Sequence, residues 1–184
     1  PEEINRILTD RISTWLFTPT EAAVQHLRSE GFAPGQIVPV GDVMYDVALH
    51  FGARVSAAGG ALARLGLASG GYGLATVHRA ENTDVLARLE VIVAALAAAS
   101  RKLLVVLPLH PRTRGVLERN GMLGRLTASG VRLIEPVGYL DMVQLEKYAA
   151  LMVTDSGGVQ KEAYFYQVPC VTLRDETEWG ELVE

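Results

Sequence analysis

The sequence predicts an α/β fold built on a doubly wound parallel sheet. From about residue 72 onward, short apolar segments alternate with segments whose apolar residues repeat at helical spacing. Residues 103–107 are all apolar, which is typical of a strand in a parallel sheet covered by helices on both faces. Strands and helices that alternate form right-handed βαβ units, and a succession of such units gives a doubly wound sheet.

The predicted elements follow one another along this part of the chain. Strands are expected at residues 74–77, 103–107, 131–134, 149–153 and 168–173. Helices are expected at residues 84–99, 112–120, 140–149 and 158–166. In the third of these helices, the residues expected to be buried are Leu140, Val143, Leu145 and Tyr148.

Residues 1–40 show the same pattern in shorter form. Helices are expected near 4–13 and 21–30, with Thr20 as a helix cap, and strands near 16–18 and 37–40. The glycine- and alanine-rich stretch 52–71 predicts a mobile or irregular connection. We therefore expect residues 1–40 to end one α/β domain and residues 41–184 to form most of a second. Because the sequence starts without a methionine and stops within a predicted helix, we expect a segment of a longer protein.

Composition narrows the class of protein. The 184 residues are 49% hydrophobic and 21% charged, which is enough apolar material for a sizeable core. The net charge of −4 argues against nucleic acid as the main partner. We find no signal peptide and no apolar run long enough to span a membrane, so we expect a cytoplasmic protein without a membrane partner. The single cysteine and the dispersed histidines predict neither an internal disulfide nor a metal site.

Residues 153–162, Val-Thr-Asp-Ser-Gly-Gly-Val-Gln-Lys-Glu, predict a nucleotide site. An apolar run ends in a small polar loop with Gly157 and Gly158, and a helix begins directly after it. Glycines let a ligand approach the backbone, and the free N–H groups at a helix N-terminus suit a phosphate. Glu162, about one turn further on, is placed to accept the two hydroxyls of a ribose. The alternative is an ordinary βα turn in which Asp155 or Ser156 caps the helix.

Polar side chains follow every predicted strand of the second domain. In open α/β sheets, ligands bind at the carboxyl ends of the strands, so these side chains are expected to line one crevice. The residues in question are His78 and Arg79, His110 and Arg112, Glu135, residues 154–158 and residues 174–178.

Two histidines at this edge receive different interpretations. His78 is a candidate acid–base group or phosphate donor, because histidine changes its charge near neutral pH. The alternative for His78 is a loop histidine bonded to the backbone. We expect His110, which lies between two prolines, to be structural. Arg112, Arg114 and Arg174 are either phosphate ligands or solvated side chains.

Five segments, taken in order, resemble one family over nearly the whole chain. They are residues 1–6, 18–20, 76–82, 154–162 and 173–178. They resemble the non-hydrolysing UDP-N-acetylglucosamine 2-epimerases, a two-domain family with the GT-B glycosyltransferase-like architecture. The resemblance implies that residues 41–184 are a Rossmann-like, UDP-binding C-terminal domain, incomplete at its C-terminus. It also implies a homodimer as the full-length protein.

The resemblance implies an isomerase that interconverts UDP-N-acetylglucosamine and UDP-N-acetylmannosamine. In this family, UDP is eliminated to give a 2-acetamidoglucal and then returns, with a proton added to the other face of C2. That route requires no nicotinamide or metal cofactor. Glu2 matches a catalytic acid of the family and His78 matches its catalytic histidine. The other catalytic carboxylates lie ahead of Pro1, so we expect this segment alone to be inactive as an epimerase.

The resemblance also assigns the nucleotide-binding residues. Ser156, Gly157 and Gly158 match the phosphate-binding loop, Glu162 matches the acid that binds the ribose, and Arg174 is a further candidate for binding UDP. The chain departs from some members where Trp179-Gly180 replaces an Arg-Pro pair.

Three alternatives stay open. Residues 109–114 and 177–179 also resemble relatives that act on a UDP-2,3-diacetamido-glucuronic acid, so an epimerase of that sugar is the first. The second is a GT-B UDP-sugar glycosyltransferase. The third is a non-catalytic module that binds nucleotide sugars.

Overall fold

The computed structural model describes residues 2–175, without the side chain of Glu2. The chain divides into two compact units between Val47 and Ala48. The helix predicted at the end of the chain and the Thr177-Glu178 pair lie outside the described residues.

The first unit contains a short parallel pair of strands. Its elements are α1 (Glu2–Ile12), β1 (Leu16–Thr18), α2 (Glu21–Ser29), β2 (Ile37–Pro39) and the start of α3 (Val43–Gly52). Leu16 of β1 lies opposite Ile37 of β2, and both are buried in a small core. Thr20 caps α2, as predicted, because its side chain accepts a hydrogen bond from Ala23 N at 3.2 Å.

The second unit is built on a five-stranded parallel sheet. Its strands are β3 (Tyr72–Thr76), β4 (Leu104–Pro108), β5 (Arg132–Ile134), β6 (Leu151–Thr154) and β7 (Cys170–Thr172). Their spatial order is β5-β4-β3-β6-β7, and every adjacent pair is parallel. The chain therefore winds outward from β3 in one direction and then outward from β6 in the other. The predicted doubly wound α/β fold is confirmed.

Helices connect these strands and cover the sheet. They are α4 (Gly60–Arg64), α5 (Ala80–Thr83), α6 (Leu86–Ala99), α7 (Pro111–Arg119), α8 (Met122–Ala128), α9 (Tyr139–Lys147) and α10 (Gly157–Phe165). Successive side chains of a strand point to opposite faces, and the two hydrophobic clusters follow that rule. Leu74 packs in the cluster that includes Leu145, whereas Ala75 packs in the one that includes Leu89. Burial on both faces explains why the central strands are continuously apolar.

The structure corrects several predicted elements. The predicted helix 84–99 is α6, which begins two residues later at Leu86, whereas α3, α5 and α8 were not predicted. In α9, Val143 and Leu145 are buried, but Leu140 is 50% exposed because it lies on the outer face of the first turn. The boundaries of the remaining elements differ by about two residues, as is usual for helix and strand ends.

The stretch 52–71 is more regular than its composition suggests, since it contains α4. The side chain of Gln144 holds this segment: it accepts from Ala61 N at 2.7 Å and donates to Ser56 O at 2.8 Å. Gly59 and Gly60 have φ angles of +81° and +57°, so these glycines shape the entry to a helix.

Candidate functional site

The site lies where the strand order of the second unit reverses, between β3 and β6. A crevice opens at the carboxyl ends of two such strands, because the connections leave them in opposite directions. Thr76 and Thr154, the last residues of β3 and β6, lie opposite each other, with their Oγ1 atoms 2.6 Å apart. The two loops that follow therefore start side by side.

Asp155 joins these two loops. Its carboxylate is fully buried directly after β6 and accepts hydrogen bonds from the backbone N–H groups of His78 at 3.0 Å and Arg79 at 2.9 Å. The side chain of Asn82 donates a further bond at 3.1 Å. Sequence reasoning considered Asp155 only as a possible helix cap. Asp155 comes immediately after a strand at the switch point, where ligand sites form, and this position was the sequence signal for a role beyond capping.

The same carboxylate holds the ring of His78. The Nδ1 atom of His78 lies 3.0 Å from Oδ1 of Asp155, and the His78 side chain is 50% exposed. The ring is therefore bonded to a carboxylate, rather than to the backbone as the alternative interpretation proposed. Because Nδ1 is engaged in the interior, Nε2 is the ring nitrogen left for a ligand.

Charge is balanced between these two side chains. The hydrogen bond to Asp155 raises the pKa of His78 above its ordinary value, against the opposing effect of burial. Burial alone would raise the pKa of Asp155, but the hydrogen bonds from His78, Arg79 and Asn82 outweigh it and lower that pKa. The arrangement favours the protonated form of His78: its imidazolium faces the crevice and is held from the interior by the buried carboxylate of Asp155.

The N-terminus of α10 lies at the same edge of the sheet, directly after β6. Ser156 is the helix cap, since its side chain accepts from Val159 N at 3.4 Å, and its own N–H donates to Thr154 Oγ1 at 3.0 Å. Gly157 and Gly158 occupy the first turn, where backbone N–H groups have no acceptor within a helix and the helix dipole is positive. The capped turn and the anion site are thus compatible interpretations of the same residues.

Glu162 lies in the second turn of α10, beside a second acid. Its neighbour is Glu146 of α9, which is 1% exposed. Burial raises the pKa of Glu162, and the hydrogen-bonding contact with Glu146 partly offsets that rise. Sequence reasoning missed Glu146, because a single acid within an otherwise ordinary helix gives no local signal of burial.

The remaining predicted site residues are more scattered. The Arg174 side chain follows β7, is 13% exposed, and places Nε 3.4 Å from Oε1 of Glu81. Glu2 begins α1 in the first unit, and its side chain is not among those described. The structure therefore groups His78 with Ser156, Gly157 and Gly158 around Asp155.

Other residues predicted at this edge are engaged in local contacts. His110 caps α7, its Nδ1 accepting from Arg112 N at 3.2 Å, in line with the structural interpretation. The guanidinium of Arg112 forms an exposed ion pair with Asp84 at 2.8 Å. Arg114 pairs with Glu135 at 2.6 Å.

Within residues 2–175, no three His, Cys, Asp or Glu side chains gather in a way that suits a metal ion. No helix in that same part of the chain has the length and apolar character to cross a bilayer. Cys170 is a partly buried free thiol that packs against a hydrophobic cluster, and burial raises its pKa to about 11, which disfavours the reactive thiolate.

Comparison with known proteins identifies the family. Residues 1–184 match the family model described as UDP-N-acetylglucosamine 2-epimerase. All of the chain aligns at 54% identity with 50% of the UDP-2,3-diacetamido-2,3-dideoxy-D-glucuronate 2-epimerase of Pseudomonas aeruginosa. It aligns at 50% identity with 51% of a UDP-N-acetylglucosamine 2-epimerase homolog of Methanococcus maripaludis. The chain thus spans about half the length of the curated relatives it matches.

Solved structures give the same result. The crystal structure of Methanocaldococcus jannaschii UDP-GlcNAc 2-epimerase, in complex with UDP-GlcNAc and UDP, matches with a TM-score of 0.88 at 41% identity. That match covers 100% of this chain and 51% of the solved chain. Sequence and structure agree with the resemblance and with the GT-B-like fold class that it implied. The chain belongs to the UDP-N-acetylglucosamine 2-epimerase family.

Proposed function

We propose that the whole protein is a UDP-sugar 2-epimerase that interconverts UDP-N-acetylglucosamine and UDP-N-acetylmannosamine. The observation that carries this proposal is the His78–Asp155 pair, held at 3.0 Å beside the N-terminus of α10. It brings an imidazolium and a positive helix end to one crevice, which is the charge that a diphosphate needs.

The proposed ligand contacts follow from that geometry. The diphosphate of UDP binds between Nε2 of His78 and the backbone N–H groups of Gly157 and Gly158, with the Ser156 hydroxyl at the same helix end. Glu162, one turn further along α10, accepts the ribose hydroxyls. Arg174, at the neighbouring strand end, adds positive charge to the crevice.

The chemistry explains why this charge matters. Inversion at C2 by elimination breaks the bond from C1 to the UDP oxygen and removes the proton from C2, which leaves a 2-acetamidoglucal. The leaving diphosphate gains negative charge, and fixed positive groups stabilise it in the transition state. Re-addition forms the C1–O bond again and places a proton on the opposite face of C2. The cycle is redox-neutral, and we assign its acid–base steps to Glu2, His78 and carboxylates of the preceding part of the protein.

The sugar itself has a second candidate. Identity is 54% to the Pseudomonas aeruginosa enzyme named for a UDP-2,3-diacetamido-2,3-dideoxy-D-glucuronate and 41% to the Methanocaldococcus jannaschii enzyme named for UDP-N-acetylglucosamine. The higher identity to the Pseudomonas aeruginosa enzyme is the reason to keep the diacetamido-uronate as the second candidate substrate. Both substrates share the UDP moiety and the 2-acetamido group, so the contacts proposed above serve either one.

The proposal also covers the domain organisation of the protein, its oligomeric state and its location in the cell. We take residues 1–40 as the end of an amino-terminal α/β domain and residues 41–184 as the UDP-binding domain. The active form is a homodimer of the full-length protein, as the family resemblance implies, and its expected location is the cytoplasm.

The test is an isotope-exchange assay with the full-length protein. Each of the two UDP-sugars is incubated with enzyme in D₂O, and NMR follows the hydrogen at C2 and the appearance of the epimer. We expect deuterium at C2 of one substrate, and loss of exchange in His78→Ala. Sugar transfer to an acceptor without deuterium at C2 would instead indicate a glycosyltransferase, and inertness of both substrates would contradict the epimerase.

A further inference from the structure

Glu146 is a buried acid that the proposed contacts with UDP do not use. It lies on α9 and is 1% exposed. Within residues 2–175, no N–H or hydroxyl group donates a hydrogen bond to either of its carboxyl oxygens. An ionised carboxylate is strongly disfavoured in such a place, so the group is expected to carry its proton and to need an acceptor for it.

The acceptor at hand is Glu162. Helices α9 and α10 pack against each other, and the Glu162 carboxyl acts on Glu146 both through its charge and as a hydrogen-bonding group. Burial raises the pKa of Glu146 well above its ordinary value, and the charge of Glu162 raises it further. Glu162 is less buried than Glu146, so of the two acids it is the one more accessible to a ligand.

Other ionisable groups around the pair are tyrosines and a lysine. Tyr72 of β3 donates its hydroxyl hydrogen to Leu145 O at 2.6 Å, and Tyr166 donates to Ala48 O at 3.1 Å. Tyr139 begins α9, and its pKa is raised by burial first and then by the charges of Glu162 and Glu146.

The lysine that follows Glu146 points to a different acceptor. Nζ of Lys147 donates to Gly52 O at 2.6 Å. Among these groups, the carboxyl of Glu162 is the one that acts on Glu146 as a hydrogen-bond partner.

We propose that Glu146 is the positioning residue for Glu162: it donates its carboxylic hydrogen to one Glu162 oxygen and so fixes the other to receive the ribose hydroxyls of UDP. The inference rests on the proposed function, because it assumes that Glu162 binds the ribose. A carboxylate offers about four lone-pair positions, so Glu162 can accept one hydrogen from Glu146 and still accept two hydroxyls.

A positioning role of this kind depends on a proton. When the pH rises through the pKa of Glu146, the pair gains a second negative charge and the two carboxylates repel each other. Glu162 then loses its fixed orientation, and the preference for ribose falls. A residue that only filled space would give no such pH dependence.

The experiment compares UDP with 2′-deoxy-UDP on the full-length protein. Calorimetry gives the Kd of each ligand from pH 6 to pH 9.5, and the ratio of the two values reports the contact with the 2′-hydroxyl. The ratio cancels effects common to both ligands, including ionisation of the diphosphate and of His78. The wild-type protein is expected to prefer UDP by about tenfold at pH 6.5, with the preference falling severalfold as the pH rises.

Three variants make the prediction sharper. In Glu146→Gln, the amide donates an N–H at every pH, so the preference should stay high and flat. In Glu146→Leu, no hydrogen is available, so the preference should be low at every pH. Glu118→Gln, an exposed acid on α7, is the matched control and should behave like the wild type.

The outcomes separate this inference from the proposed function. Tight UDP binding with a preference that is independent of pH in the wild type would overturn the role of Glu146 alone. So would a Glu146→Leu variant with the wild-type preference. Failure of the wild-type protein to bind UDP would overturn both proposals.

Discussion

The imidazole of His78 and the carboxylate of Asp155 face each other at 3.0 Å across the junction of β3 and β6. The same carboxylate accepts from the backbone N–H of His78 at 3.0 Å, so it fixes both the ring and the loop that carries it. One buried acid therefore sets the position and the charge of the histidine that we place at the diphosphate.

Asp155→Asn should lower the pKa of His78 and destabilise the fold. The amide nitrogen of Asn cannot accept hydrogen bonds, so at least one donor from His78, Arg79 or Asn82 loses its partner in a buried place. We expect a loss of about 2 kcal/mol in the free energy of unfolding. NMR titration of the His78 ring and denaturant unfolding measure the two effects. Asp141→Asn, which removes an exposed ion pair with Arg64, is the control and should change stability by less than about 1 kcal/mol.

Affinity for the diphosphate should fall as the pH rises through the pKa of His78. That pKa is raised above 6.5, so the cation–carboxylate stabilisation is fully present below pH 6.5 and is lost as the pH rises through the folded-state value. We expect about a tenfold weaker Kd for 2′-deoxy-UDP once the ring is neutral. This ligand minimises the contribution of the Glu146–Glu162 pair. His78→Gln should give a flatter profile; an unchanged profile in that variant would exclude His78 as the titrating group.

Ser156 should contribute to stability and to binding through separate effects. Ser156→Ala removes the cap of α10 and should cost about 1 kcal/mol of folding stability, whereas Ser156→Gly should cost only a few tenths. Both variants lack the hydroxyl at the helix end and should bind UDP more weakly than the wild type. Thermal unfolding and calorimetry distinguish the two contributions. Wild-type affinity in Ser156→Gly would show that the hydroxyl is only a cap.

Gly60→Ala should destabilise the protein, although the segment looks like a flexible connection in the sequence. A Cβ at Gly60 would lie 2.5 Å from Oε1 of Gln144, and its φ of +57° is unfavourable for alanine. We expect a loss of at least about 1 kcal/mol. The matched control is Gly124→Ala in α8, where a Cβ meets no atom within 4 Å among the described residues. That change should stabilise the protein by about 0.5–1 kcal/mol, the opposite sign.

The sequence pattern was informative wherever burial is periodic. The apolar runs of β3 and β4 follow from burial on both faces of the parallel sheet, so the fold class was predictable. The glycine pair at the start of α10 follows a strand end directly, so the edge of the sheet that carries the site was predictable as well. The correct placement of His78 beside the loop after β6 required only the rule that ligands bind at carboxyl strand ends.

Contacts between distant residues were not predictable in this way. Asp155 bonds to residues more than 70 positions away, and Gln144 orders a glycine-rich segment more than 80 positions away. Neither partner is visible in a local pattern, since each depends on how the folded sheet brings helices and loops together. The burial of Glu146 was missed for the same reason.

The most direct test of the central claim is a crystal structure of the full-length protein with UDP. The account predicts the diphosphate within hydrogen-bonding distance of His78 Nε2 and of the backbone N–H groups of Gly157 and Gly158, with His78 Nδ1 still bonded to Asp155. UDP bound elsewhere, or a His78 ring turned away from Asp155 and from the diphosphate, would contradict it.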